Sequence, residues 1–352
     1  MTALATPPTA VVPSSPATSR LAAVLKIREL GILLAIAALV VITTASNPRF
    51  LSSQSIRDIL LGTSILMVLA VGQSVVVITR NIDLSVGSVL GLSAFAVGSL
   101  LQSRPGTPVV LALLAGLAFG AACGLLNGIL VRFGNVPALV VTLGTLYIFR
   151  GTGYFWAGGQ QINADELPKS LLHFGTGSVI GIPYLVLLAL LVLAVTAIFM
   201  RSYRTGRELY AMGSNPEAAK LAGIASGRLT LAAFCYSGAL AGLAGVLFAA
   251  RFGTIDASAG SGKELEVVAA VVVGGVAVFG GSGTVAGAAL GALLLTVIGS
   301  ALPILQVDQF WQQAIVGALI LLAIGTDRLV SVRVARSLRK ADSQRRSDAH
   351  GR

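Results

Sequence analysis

The chain has 352 residues, of which 55% are hydrophobic and only 11% charged, with a mean hydropathy of +0.87. A soluble domain carries about 25% charged residues, so the composition excludes one and indicates an integral membrane protein. The formal net charge is +11, but there are no aromatic-and-basic clusters to stack bases, and nucleic acid is not an expected partner.

Residues 1–19, rich in Pro, Ala, Ser and Thr and free of positive charge, read as disordered, and 1–29 is expected to be a disordered cytoplasmic N-terminus. Arg20, Lys26 and Arg28 then precede an apolar run from Leu30 to Ala45. That pattern imitates a signal peptide, but the long leader and the lack of a small-residue cleavage site favour a retained first span. The apolar stretches predict about ten transmembrane helices, near 30–46, 59–79, 86–102, 109–131, 136–156, 179–200, 229–250, 265–280, 284–302 and 310–326. Strand-type alternation is missing, so a barrel is not expected and the fold class is all-α and polytopic. The transmembrane domain runs over 30–327 and a basic cytoplasmic tail over 328–352. Several spans are short and rich in glycine, as befits helices buried among other helices.

An even number of spans puts both ends on one side. With N-in and C-in, the inner side collects Arg80, Arg132, Arg201, Arg204, Arg207, Lys220, Arg228 and the basic residues of both termini, while the 14 acids divide evenly. The positive-inside rule supports that orientation, and attraction to anionic membrane lipid accounts for the charge excess. An outer loop, 157–178, holds Gln160, Gln161, Asn163, Asp165 and Glu166, and an inner loop spans 201–228. Within the inner loop, Asn215-Pro216-Glu217-Ala218-Ala219-Lys220-Leu221 reads as a short helix outside the bilayer. Asn215 suits the N-cap, Pro216 the first helical position, Glu217 the positive start, Lys220 the end, and Gly223 a left-handed C′. A short helix in such a place is expected to face a cytoplasmic partner.

Cys123 and Cys235 sit in apolar segments and His173 and His350 are isolated, so no metal site or disulfide framework is expected. No Gly-x-x-x-x-Gly-Lys-Ser/Thr loop occurs, and the Gly-rich region 274–291 lacks the lysine. If transport is ATP-driven, the ATPase is a separate chain. An internal echo is also visible between Arg80–Ser88 and Phe279–Gly283, each followed by a Gly/Ala/Ser/Leu-rich stretch; it reads either as duplication or as membrane composition.

Several segments, in order and spacing over about 58–327, together resemble the permease subunit of ribose/xylose/arabinose-type ATP-binding-cassette sugar importers. They are Arg80-Asn81-Ile82-Asp83-Leu84-Ser85-Val86-Gly87-Ser88, Asn127-Gly128, Thr142-Leu143-Gly144-Thr145, Gly206-Arg207 and Asn215 through Gly223. Ala241–Gly245, Ala269–Gly275 and Gly280–Gly283 complete the set. The resemblance implies a bacterial inner-membrane location, a cytoplasmic ATP-binding-cassette ATPase that binds the ATP and Mg, and a periplasmic sugar-binding protein. It also implies a second permease subunit, identical or not. The chain itself is expected to hold no cofactor and to perform no covalent chemistry. Glu217-Ala218-Ala219 with Gly223 resembles the loop by which such permeases engage their ATPase, and Arg207, Glu208 and Asn215 join it as coupling candidates. Thr79–Asp83, Trp156-Ala157-Gly158-Gly159 and Phe310-Trp311 resemble rhamnose permeases and permeases for the furanosyl quorum signal. Asn163–Pro168 leans toward rhamnose, which is the expected substrate, with the furanosyl signal or a pentose as alternative.

Seven polar residues on apolar spans, Gln73, Asn81, Asp83, Asn127, Thr142, Thr145 and Tyr147, are candidates to line the solute pathway. Sugars need hydroxyl-directed hydrogen bonds and often an aromatic face. Interhelical hydrogen bonding is the competing role for each. Asp83 either hydrogen-bonds sugar or pairs with Arg80 to fix a turn before Gly87. Trp156 and Trp311 read as interfacial anchors, Trp156 alternatively as a gate. Glu264 and Glu266 lack a histidine partner and read as contacts for a binding protein or as hydrated residues, not as glycosidase carboxyls. The competing classes are a proton- or sodium-coupled transporter, which would carry ionisable residues in mid-span, a membrane enzyme, which would carry a nucleophile and base, and a branched-chain amino-acid permease of related fold.

Overall fold

The computed structural model describes residues 16–308, 310–323 and 325. The helices are α1 (Pro16–Ser46), α2 (Ser53–Ile78), α3 (Val86–Ser103), α4 (Val109–Gly134), α5 (Ala138–Ala157), α6 (Lys169–Thr176) and α7 (Tyr184–Ser202). They continue with α8 (Arg204–Ser214), α9 (Pro216–Leu221), α10 (Ser226–Phe252), α11 (Lys263–Val273) and α12 (Val285–Ile304), and α13 (Trp311–Ala323) follows. Seven of the described helices are long and apolar enough to cross a membrane. The chain is an all-α, multi-pass membrane protein. Nine of the ten expected spans coincide with helices. The tenth, 265–280, holds an eleven-residue half-helix, α11, because Gly274, Gly275, Gly280, Gly281 and Gly283 break it. Helix α1 starts at Pro16, inside the stretch expected to be disordered. Proline fits a first turn, and the run Leu21-Ala22-Ala23-Val24-Leu25 is built of helix-forming residues. The first 15 residues and the basic tail lie outside the described residues.

Helix α2 is the axis of the molecule. Its Ser52 cap accepts from the Ser55 N–H at 3.3 Å, and almost every residue from Leu61 to Ile78 is buried. A helix apolar all round is one surrounded by others; α7, α10, α11 and α12 pack on it. Helices α4 and α10 share the most extensive contact of any pair. Gly116, Gly120 and Gly124 of α4 lie against Gly238 and Gly242 of α10, so near that a Cβ on Gly120 would fall 2.1 Å from the Gly238 carbonyl oxygen. Small residues at four-residue spacing let membrane helices gain packing that apolar burial does not supply in lipid.

Two non-helical segments turn back into the bundle. The chain leaves α2 at Thr79, turns, and starts α3 at Val86; it leaves α10 at Gly253, turns, and starts α11 at Lys263. The two turns carry one motif: Ile82-Asp83-Leu84-Ser85-Val86-Gly87-Ser88 and Ile255-Asp256-Ala257-Ser258-Ala259-Gly260-Ser261. Each aspartate accepts from the serine two residues on. Asp83 Oδ1 takes the Ser85 N–H at 2.9 Å and its hydroxyl at 2.6 Å; Asp256 Oδ1 takes those of Ser258 at 2.6 and 2.5 Å. The two left-handed residues that end α2 and α10 also correspond, Arg80 at φ 65° and Gly253 at φ 67°. Because α2 and α10 run in opposite directions, this is an inverted repeat. The expected echo of 80–88 with 279–283 pairs differently: its true counterpart is 253–261, while 279–283 packs beside Arg80.

The repeat halves grip each other. Ile255 lies against Gly98, Ala259 against Gly91 and Gly260 against Gly87. Gly260 and Gly87 meet inside the bundle, both buried. Irregular backbone is tolerated there when protein satisfies it, and Arg150 of α5 donates through Nη1 to the Ala259 and Ser258 carbonyls at 2.7 and 3.3 Å. At the outer surface Ile162 bridges Ile255, Gln102 donates to Glu166 at 2.6 Å, and a short hairpin, β1 (Ser178–Val179) with β2 (Ile182–Pro183), precedes α7.

Candidate functional site

The inner loop folds as an arm of two helices, α8 and α9. Asn215 caps α9 by accepting from the Glu217 and Ala218 N–H groups, both at 3.1 Å, and Gly223 follows with φ 74°. Six residues of helix are therefore held by their ends. Glu217, Ala218, Lys220 and Gly223 are exposed, while Ala219 is buried against the body. Arg207 donates to the Ser202 carbonyl at 3.0 Å, and Glu208 pairs with Arg204 at 2.7 Å, so both serve the root of the arm. Leu221 is 91% exposed at the tip. The sequence reading passed over Leu221; its signal was a large apolar residue closing an otherwise polar helix.

Six of the seven pathway candidates converge on the inner turn. With its amide turned so that the NH2 faces the Asp83 carbonyl, the orientation that satisfies both groups, Gln73 spans the Asp83 backbone, donating to its carbonyl and accepting from its N–H at 3.2 Å each. Asn127 donates to the Ser85 hydroxyl at 2.8 Å, and that hydroxyl donates to Asp83. Thr142 donates to the Ile82 carbonyl at 3.0 Å and Thr145 to the Thr142 carbonyl at 3.3 Å. Asn81 donates to the Thr79 carbonyl and hydroxyl. Gln73, Asp83, Asn127, Thr142 and Thr145 are almost fully buried, whereas Tyr147 stands apart on the exposed face of α5. The Asn127 Oδ1 has no partner, which leaves one acceptor in the network open. Arg80 does not pair with Asp83; its guanidinium reaches the arm instead.

A second polar place was missed. A cavity of about 450 Å³ opens between the start of α11 and α13, lined by Ser261, Lys263, Glu266, Gln312 and Gln313 among apolar neighbours. Lys263 bonds Glu266 at 2.5 Å within it. Charge and amide groups facing one cavity in a membrane bundle suit a hydroxyl-bearing solute. The sequence placed Glu266 at a surface because it read α11 as a full span.

Residues 55–324 match the family described as branched-chain amino acid transport system / permease component. The chain belongs to this permease family. Among curated relatives, the autoinducer 2 import system permease protein LsrC of Enterobacter sp. (strain 638) is 40% identical over 297 residues, 84% of this chain and 85% of the relative. The proteins of the same name from Salmonella typhimurium and Escherichia coli (strain K12 / DH10B) are 37% and 36% identical over 313 residues, covering 89% of this chain and 89% and 90% of theirs. No solved structure matches. The permease is thus a transport subunit and not an enzyme, and the expected rhamnose specificity is not what these relatives carry; their name matches the furanosyl-signal alternative. In the permease, the arm is the exposed polar element and the inner turn is the buried one.

Proposed function

We propose that this permease is the membrane subunit of an ATP-driven importer in a bacterial inner membrane, and that its solute is a furanosyl signal of the autoinducer-2 type. The observation that carries the reading is the likeness, across nearly the whole chain, to permeases named for that signal. The geometry supports it in two ways. The α8–α9 arm presents Glu217, Ala218, Lys220 and Leu221 as a small, end-capped surface for a cytoplasmic ATPase, which would bind the ATP and Mg. The cavity between α11 and α13 offers Lys263, Glu266, Gln312 and Gln313 to a compact, hydroxyl-rich molecule delivered by a periplasmic binding protein. The exposed α5 face with Tyr147, Ile148 and Phe155 is the surface we assign to a second permease subunit. The buried network at Asp83 shapes the pathway wall rather than touching solute.

Uptake of labelled autoinducer 2 in cells with the gene deleted and restored, beside ribose, xylose and rhamnose, tests the substrate. Loss confined to the furanosyl signal is the expected result. Loss confined to rhamnose would restore the reading drawn from Asn163–Pro168.

A further inference from the structure

We propose that Arg80 is a positioning residue that latches the cytoplasmic arm to the inner turn and to the 280–283 segment that follows α11, so that movement of the arm reaches the buried core of the bundle. The proposal rests on the arm being the ATPase contact. Arg80 donates through Nε to the Gly213 carbonyl at 2.5 Å and through Nη2 to the Ser214 carbonyl at 2.9 Å. These are last-turn carbonyls of α8, which have no acceptor role within the helix, and a cation there also suits the negative end of the helix dipole. Asn215, the cap of α9, is the next residue. On its other side Arg80 is three residues before Asp83, the aspartate of the inner turn.

The same junction holds the second turn's helix. The Gly281 N–H donates to the Ile78 carbonyl at 2.9 Å, and the Tyr210 hydroxyl of α8 donates to the Gly283 carbonyl at 3.0 Å. A Cβ on Gly213 would lie 1.8 Å from the Ile78 carbonyl oxygen, and one on Gly280 2.4 Å from the Arg80 Cγ. Three backbones, 78–80, 213–214 and 280–281, therefore meet closely, with the Arg80 side chain running across the junction. Segment 280–283 is the continuation of α11, whose other end begins at the outer turn.

The inverted repeat supplies an internal control. The position equivalent to Arg80 is Gly253, and both are left-handed, at φ 65° and 67°. Glycine takes that conformation without strain; an L-residue with a long side chain does not. The outer copy, which has no arm to hold, carries the residue the backbone prefers. The inner copy carries the strained one, and its side chain is spent on the two α8 carbonyls.

The test uses the permease reconstituted in proteoliposomes with its ATPase and binding protein. ATPase co-purification, ATP hydrolysis and solute imported are measured for Arg80→Gly, Arg80→Lys and Glu217→Arg. Arg80→Gly relieves the backbone strain, so insertion is expected to persist. The ATPase should remain bound and hydrolyse ATP, while ATP consumed per solute imported rises about tenfold or more, as loss of two charge-assisted hydrogen bonds allows. Arg80→Lys, which keeps the charge but reaches one carbonyl at a time, should give a smaller rise, roughly two- to fivefold. If Arg80→Gly fails to insert, Arg80→Lys carries the same readout. A ratio equal to wild type in whichever variant inserts overturns the latch, and so does loss of the ATPase from Arg80→Gly, which would make Arg80 a docking contact. Glu217→Arg separates the two claims: if it keeps the ATPase, the reading of the arm fails, whatever Arg80 does.

Discussion

Asp83 and Asp256 make the same turn in opposite settings. Asp83 is 1% exposed, and every donor around it is inside the bundle; Asp256 is exposed near the outer surface. Asp83→Asn keeps an oxygen for the Ser85 N–H and is expected to cost about 1 kcal/mol or less, whereas Asp83→Ala strands two buried donors and should cost about 2–5 kcal/mol. Asp256→Ala leaves its donors to water and should fall within about 0.5 kcal/mol of wild type. Thermal unfolding in detergent orders the three; equal losses for Asp83→Ala and Asp256→Ala would refute the assignment of a structural role to burial. On the arm, Asn215→Ala removes the acceptor for two N–H groups, a change of about 1 kcal/mol in helix stability. Alone, that should weaken ATPase binding several-fold. Leu221→Ser should do the same without altering insertion, read by co-purification of the ATPase.

At the scale of elements, the α4–α10 pair holds together through glycine-to-backbone contact rather than through large side chains. Gly120→Leu drives a side chain into the Gly238 carbonyl and is expected to abolish stable insertion, beyond the roughly 1–3 kcal/mol of ordinary overpacking. Gly144→Leu on α5, where nothing lies within 4 Å, should leave membrane yield unchanged. Yields that match in the two variants would show that the contact is dispensable. The end of α3 and the starts of α4 and α5 were legible in the sequence because Arg104 interrupts the apolar run after α3 and Pro108 and Pro137 stand at the N-caps of α4 and α5. Helix α9 was legible because Asn215, Pro216 and Gly223 each satisfy a terminus by themselves. The half-helix α11 was not, since Val271-Val272-Val273 runs on into glycines that hydropathy counts as neutral. The duplicated turn escaped notice for a different cause: its five identities, Ile, Asp, Ser, Gly and Ser, are too few to stand out along the chain, and only the matched φ values and hydrogen bonds distinguish them from chance. The pathway residues were found as a cluster, but spacing along the chain does not tell a sealed network from an open one.

For the whole molecule, the expected N-in, C-in orientation has the two turns entered from opposite sides of the bilayer. An impermeant thiol reagent should label Ser261→Cys from the outside and Ala222→Cys only from the inside, in a background where Cys123 and Cys235 are replaced. Labelling of Ser261→Cys from the inside alone would invert the assignment of sides. Within that frame Gln312→Leu should slow uptake without changing ATPase binding, measured as initial rate at fixed ATP, because the cavity and the arm lie at different levels.

The mutual grip of α3 and the 255–260 segment also sets a schedule for synthesis. Gly87, Gly91 and Gly98 enter the membrane long before Gly260, Ala259 and Ile255 have been translated, and at about 5–20 residues per second the interval is roughly ten to thirty seconds. Through that time the first half of the permease waits in the bilayer with the glycine face of α3 bare and its slot unfilled.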